Sequence, residues 1–391
     1  MIADRRFSIA DGFCLATLLL LAGGCLPHSC AGSGPARALL PADSLSRRVA
    51  QSVPRDTLRR VWRAGAFEDG PSQSTSSQST SSLAGGAPLR FPRTAVFLSS
   101  DDRSAQLAVS DAKRNALFLF SETGRRARTV RSDRFATPYL IGQRADTLLA
   151  LSPRERRVHF VAGGRVARDV TLALPPAREA PLLWATATGG DLFAKTIGED
   201  GQATVTRHGL GGQATARRVL AGPRWHHAGP LVRWRDSLVS ASGFRPVLHR
   251  LPLGLSARRD TACALRLTGF DSPMLPRTRR YAEGNLRQPP LLMPDVAATP
   301  TRLFALNLRA GRLRIDAFGP GGRLTHRLTT PGPPRSQDVY PRALAVRRGP
   351  DGSYALAVAL TAPRPAVALY RWRPDSTTDD RRRTAAVRPA R

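Results

Sequence analysis

The chain has 391 residues, 41% of them hydrophobic, with 60 lysines and arginines against 29 acids and a formal charge of +31. The apolar content excludes an intrinsically disordered chain, and the length leaves room for one large domain plus tails. The charge invites a nucleic-acid partner, yet it is almost wholly arginine, with Lys113 and Lys195 the only lysines, and it is spread along the chain instead of gathered in one arm, which argues for no nucleic acid.

At the N-terminus, Arg5 and Arg6 precede the apolar run from Phe13 to Ala22, too short to cross a bilayer of about 30 Å as a helix. This is the pattern of an export signal peptide. The following Leu21-Ala22-Gly23-Gly24-Cys25 resembles the lipobox of bacterial lipoproteins, with Ala22 where that family usually carries leucine. The resemblance implies cleavage before Cys25 and its acylation, a membrane lipid anchor, and a place in the cell envelope at the outer membrane or periplasmic face. A plain secretory cleavage near Ser29 to Ala31 or Ala36 to Ala38 is the alternative. The other cysteines, Cys14, Cys30 and Cys263, imply no disulfide framework.

Residues 26–90 read as a flexible tail and linker, with the polar run QSTSSQSTSS from Gln73 to Ser82 offering nothing to bury. Within it, 57–63 carries the apolar side chains Leu58, Val61 and Trp62 and is a strand candidate.

From residue 91 a pattern repeats. Pro92, Pro138, Pro181, Pro230, Pro290 and Pro341 each lead into a short apolar strand and then an alternating hairpin, about 40–60 residues apart. In the first repeat the strands are Ala95 to Leu98, Gln106 to Ser110, Ala116 to Phe120 and Arg126 to Val130. Asp111 to Asn115 and Glu122 to Gly124 supply the turns between them, with residues that tolerate unusual backbone angles. Such a period, with four strands per unit, predicts an all-β fold: a six-bladed β-propeller of four-stranded antiparallel blades over 91–373, followed by a charged tail, 374–391. The segment LAVSDAKRNALFLFSETGRRARTV resembles the NHL-like and TolB-like six-bladed propellers, and TLLALSPRERRVHFVAGGRVARDVTL and TRLFALNLRAGRLRIDAFGPGGRLTHRL echo it. The last repeat offers three clear strands, so the ring closes with a fourth from 57–63 or from the tail at Thr384 to Val387. The less charged N-terminal candidate is preferred.

Binding residues on a propeller are expected in the loops at the channel mouth. The middle turns bring arginines there: Arg114, then Arg154, Arg156 and Arg157, then Arg245, Arg309, Arg312 and Arg364. Such guanidinium groups suit carboxylate, sulfate or phosphate, and the bland alternative is a set of solvated turn arginines. Loops entering the inner strands add Trp225, His226, His227 and Tyr340, with the aromatic pair suited to stacking on a flat ligand. The two adjacent histidines are a poor chelate, since neighbours on an extended chain point apart. A long insertion, Gly269 to Pro290, carries Arg279 and Tyr281 and is a candidate lid.

No catalytic residues, metal ligands or cofactors emerge. Calcium-dependent propeller enzymes line the channel with oxygen ligands, whereas here the strands taken as inner contain one acid, Asp295. The functional expectation is an exported, lipid-anchored binding or scaffolding module at the cell envelope, taking an anionic glycan, lipid or envelope protein. The alternative is a divalent-cation-dependent hydrolase or lactonase of the six-bladed propeller type.

Overall fold

A computed structural model describes residues 44–65, 88–99, 106–174, 182–255, 263–331 and 339–374. The described chain begins with α1 (Ser44–Ser52), β1 (Arg55–Thr57) and β2 (Arg59–Ala64). Blade 1 follows as β3 (Pro92–Phe97), β4 (Leu107–Asp111), β5 (Ala116–Phe120) and β6 (Arg126–Arg131), and blade 2 as β7 (Tyr139–Arg144), β8 (Thr147–Ser152), β9 (Arg157–Ala162) and β10 (Arg165–Thr171). Blade 3 holds β11 (Leu182–Thr188), β12 (Asp191–Ile197), β13 (Ala203–His208) and β14 (Ala214–Leu220). Blade 4 holds β15 (Leu231–Trp234), β16 (Ser237–Ala241), β17 (Val247–Pro252) and β18 (Cys263–Arg266). After α2 (Leu275–Ala282), blade 5 is β19 (Val296–Ala298), β20 (Leu303–Leu306), β21 (Arg314–Phe318) and β22 (Leu324–Thr329). Blade 6 supplies β23 (Tyr340–Arg348), β24 (Tyr354–Ala362) and β25 (Ala366–Trp372).

The first strands β3, β7, β11, β15, β19 and β23 contact one another in a closed ring, so the protein is a six-bladed β-propeller. Each blade runs antiparallel from this inner strand outwards. The expected inner strand at Leu291 to Asp295 lies instead just ahead of β19.

Period-2 alternation explains why six sheets are needed. Along β4 and β5, Leu107, Val109, Ala116, Phe118 and Phe120 face blade 6, whereas Ala108 and Leu117 face blade 2. Both faces are apolar, so each sheet buries one against the preceding blade and one against the next. The buried clusters follow this rule, and each of the six spans two adjacent blades.

The N-terminal segment stitches the ring. Val49 of α1 and Val53 just after it pack into the core between blades 4 and 5, and Ser46 Oγ accepts the Gly269 amide at 2.8 Å. Strand β1 then adds to blade 5 as a fifth, parallel strand against β22, while β2 pairs antiparallel with β25 to give blade 6 its fourth strand. Between them Leu58 is fully buried among Phe304, Tyr354 and Trp372, at the junction of blades 5 and 6. Trp62 lies over the turn after β5, where Gly124 has φ +79° and an added Cβ would sit 2.6 Å from the indole. Only glycine fits there. The stretch 26–90 thus contains α1, β1 and β2, and the Gln73 to Ser82 run joins β2 to β3 in the chain, outside the described residues, as is Cys25.

Strand directions alternate. The segments entering the first strands and the turns joining second to third strands therefore share one end of the ring, the mouth.

Candidate functional site

Three residues singled out in the sequence meet at the mouth between blades 3 and 4. Pro223 opens a single 3₁₀ turn, Arg224–His226, ahead of β15, and Ser242 Oγ fixes it by donating to the Trp225 carbonyl at 2.7 Å. Trp225 meets His226 edge-on at 4.4 Å and Tyr281 of α2 edge-on at 5.4 Å. His227, one residue further, packs against His249 with ring centroids 4.7 Å apart. The turn from Ser242 to Pro246 closes the group, and it lies so near the entering loop that a Cβ on Gly229 would come within 2.7 Å of the Gly243 nitrogen.

This turn carries Arg245. Far from being a solvated turn residue, it is 1% exposed. One of its terminal nitrogens, Nη2, lies 2.6 Å from His249 Nε2, while Nε and Nη1 have no acceptor among the described residues. His227 Nε2 lies 2.9 Å from the Ala221 carbonyl, a contact that requires the proton on Nε2 and leaves Nδ1 as a bare acceptor, also without a partner. Burial pushes His226 and His249 down to about 3 and His227 to about 4, with Arg245 and the neighbouring imidazoles adding repulsion. Burial alone lowers Arg245, to about 10, so it stays charged at neutral pH.

Lys195, fully buried on β12, adds to the same field at His227 and His249. Its Nζ lies 3.2 Å from the Pro230 carbonyl, 3.1 Å from the Ala241 carbonyl and 3.0 Å from Ser240 Oγ. Burial drives it well below the usual lysine range. The sequence reading passed over Lys195 and His249, though alternation could have found them. Phe193 and Ile197 flank Lys195, Leu251 follows His249 by two, and all three belong to the core between blades 3 and 4.

The other expected residues lie elsewhere. Arg154, Arg156 and Arg157 occupy the middle turn of blade 2, where Arg156 donates to the Leu174 carbonyl at 3.3 Å. Tyr340 begins β23 on blade 6, with its hydroxyl raised by burial, and so sits two blades away from Trp225. On α2, Arg279 and Tyr281 diverge by roughly 200°: Tyr281 meets Trp225, whereas Arg279 lines a hollow with Ser46, Arg47 and Gln51 of α1. Three arginines of blade 5 are occupied internally, while Arg312 is exposed. Arg309, Arg314 and Arg327 all converge on the carboxylate of Asp271.

An open groove of about 650 Å³ lies at the rim between blades 1 and 2, lined by Arg114, Arg131, Arg134 and Arg165 with Asp133 the one carboxylate. Four guanidinium groups and one acid line it, and Arg134 also donates to Asp169 at 3.2 Å.

Blade 2 also holds an arrangement that looks catalytic. Asp169 Oδ1 accepts from His159 Nδ1 at 2.7 Å, and Ser152 Oγ lies 2.8 Å from His159 Nε2, the order of groups in a nucleophilic relay. Ser152 and His159 are fully buried, and Ser152 Oγ already accepts the Ala136 amide at 3.0 Å. The groups of this relay partner one another and the Ala136 amide, so these residues tie β8, β9 and β10 together.

Asp295, ahead of the inner strand β19, accepts from the amides of Val296 and Leu344, both at 2.8 Å. The residue as a whole is half-buried, but its carboxyl is shut away from water, which pushes it up to about 7. Among the described residues no three His, Cys, Asp or Glu side chains are grouped to hold a metal ion.

No protein-family model and no curated protein matches the chain. Among solved structures it is similar to a streptogramin B lyase, at 11% identity over 73% of this chain and 95% of that one, TM-score 0.45. It is also similar to a luciferin-regenerating enzyme, at 9% identity over 72% and 91%, TM-score 0.45. A nidogen/laminin complex matches at 15% identity over 62% and 86%, TM-score 0.37. At these identities no activity passes from those proteins to this one.

Proposed function

We propose that this chain is an exported, lipid-anchored propeller that binds an anionic partner of the cell envelope, a glycan, a lipid headgroup or an acidic protein surface. The observation that carries the reading is the rim groove, where Arg114, Arg131, Arg134 and Arg165 surround open space and Asp133 is the one carboxylate of the lining. Arginine forks in such a groove hold oxyanions bidentately, and the charge of +31 draws anions towards it. Arg154, Arg156 and Arg157 extend the basic surface of blade 2. Export and anchoring rest on the Phe13 to Cys25 segment. After acylation, residues 26–43 would join Cys25 to α1, which packs into the ring.

The test is retention on heparin-agarose. The wild-type protein elutes at a salt concentration that falls clearly in an Arg131→Glu/Arg165→Glu variant of unchanged melting temperature. Equal elution of the two proteins refutes the groove as the contact surface. Mass spectrometry of the mature N-terminus reads the anchor directly, as a diacylated Cys25 or as an unmodified residue from another cleavage.

A further inference from the structure

The rim groove leaves unexplained why a guanidinium is buried at the mouth with most of its donors idle. Arg245 is 1% exposed, and its Nε and Nη1, which carry three N–H bonds, lack acceptors among the described residues. Every titratable group coupled to this cluster is basic: His226, His227, His249 and Lys195. Buried charges in proteins are ordinarily paired, and a lone buried polar group calls for a missing ion or water. The buried Arg314 and Arg327 obey the pairing rule. Arg314 has Asp316 and Asp271, and Arg327 has Asp271 at 3.0 Å.

The idle groups also specify what is missing. Arg245 offers donors, and His227, which packs against the same His249 that Arg245 meets, offers a bare Nδ1 acceptor. A carboxylate or sulfate at neutral pH would satisfy the donors and leave His227 Nδ1 facing a second acceptor. A phosphoryl group that retains a proton can do both, since its anionic oxygens accept from the guanidinium while its hydroxyl donates to the imidazole.

The geometry points to a phosphate-binding site at Arg245 and His227, beneath Trp225 and Tyr281, distinct from the rim groove. The occupant is a hydrogen phosphate group, either free in solution or at the end of a larger ligand entering at the mouth. Through the edge-on contact of Trp225 with Tyr281, α2 touches the turn that leads into His227.

The experiment is a thermal-unfolding titration of the full mature chain at pH 7 with inorganic phosphate, glycerol phosphate, sulfate and chloride at matched ionic strength. Phosphate in large excess over its Kd should raise Tm by about 2–5 °C above the value in sulfate. The Arg245→Met variant should lose this increment and, without phosphate, be at least as stable as wild type, because it removes an uncompensated buried charge. A merely structural arginine would instead leave Arg245→Met less stable with the phosphate response intact. Should Arg245→Met fail to fold, Arg245→Lys keeps the charge but lacks the fork, and its phosphate increment should shrink severalfold. The Arg131→Glu/Arg165→Glu variant should keep the full increment, so failure of the rim reading and failure of this one are separable. Comparison of the inorganic and glycerol phosphate arms shows whether the group arrives free or attached. Equal shifts in phosphate, sulfate and chloride, or a phosphate increment retained in both Arg245 variants, overturn the proposal and leave ordered water as the partner of Arg245.

Discussion

Blades 2 and 4 each set a histidine beside polar neighbours, fully buried in blade 2 and half-buried in blade 4, and they satisfy it in opposite ways. In blade 2 every group has its complement: the Ala136 amide donates to Ser152, Ser152 to His159, and His159 to Asp169. In blade 4 the cluster around His249 contains imidazoles, a guanidinium and a lysine, with no carboxylate, and several of its donors and acceptors stay idle. A closed hydrogen-bond chain is a fastening, because nothing remains for a ligand to satisfy. An open one is a receptor.

The sharpest way to break this contrast is to remove the central histidine from each. His159→Ala should cost about 2–4 kcal/mol in urea unfolding, through lost packing against Phe135 and two stranded partners. Asp169→Ala, which strands the buried Nδ1–H and releases the exposed Arg134, should cost about 1–3 kcal/mol. His249→Ala should cost less than His159→Ala, since its main partner is a guanidinium that is already under-satisfied. Equal costs in the two blades would show that the blade 4 cluster is as fully fastened as that of blade 2.

Acid should separate the regions next. His226, His227 and His249 are neutral in the folded protein down to about pH 3–4, yet titrate near 6.5 once unfolded. The unfolded chain therefore binds protons that the folded chain refuses, and stability falls as pH drops from about 6.5 towards 4. His249→Gln should flatten that slope in denaturant midpoints measured across the window. An unchanged slope would mean that the imidazoles are solvated after all.

The smallest effect has the opposite sign. Asp295 holds its proton to about pH 7 in the folded protein, while the unfolded chain releases it near 4. Its contribution to stability is full below about pH 4 and fades as pH rises to 7. Asp295→Asn removes this term, so the loss of stability on acidification should become steeper in the variant. A shallower slope would contradict the burial assigned to its carboxyl.

Much of the architecture was written locally. In the stretch from Leu107 to Phe120, apolar residues occupy both parities of the strands and Asp111 to Asn115 supply the turn, so a two-faced sheet and its hairpin can be read from adjacent residues. The site was legible only in part. Trp225, His226 and His227 stood out as rare residue types in a row, but Arg245 looked like one more turn arginine, because sequence carries no measure of how closely the Gly229 and Gly243 backbones approach. The parallel docking of β1 on β22 was likewise invisible, since a three-residue strand has no periodicity to detect.

Sequence by itself determined that there would be repeated sheets greasy on both sides, and so a ring, because strand alternation and turn propensity act between neighbours in the chain. Only the tertiary structure decided which buried charges found partners. Asp169 reaches His159 through the register of β9 and β10, whereas Arg245 meets imidazoles because a turn of blade 4 folds over the loop entering it. Pairing of that kind depends on distances between segments far apart in sequence, and these are fixed when the blades close on one another.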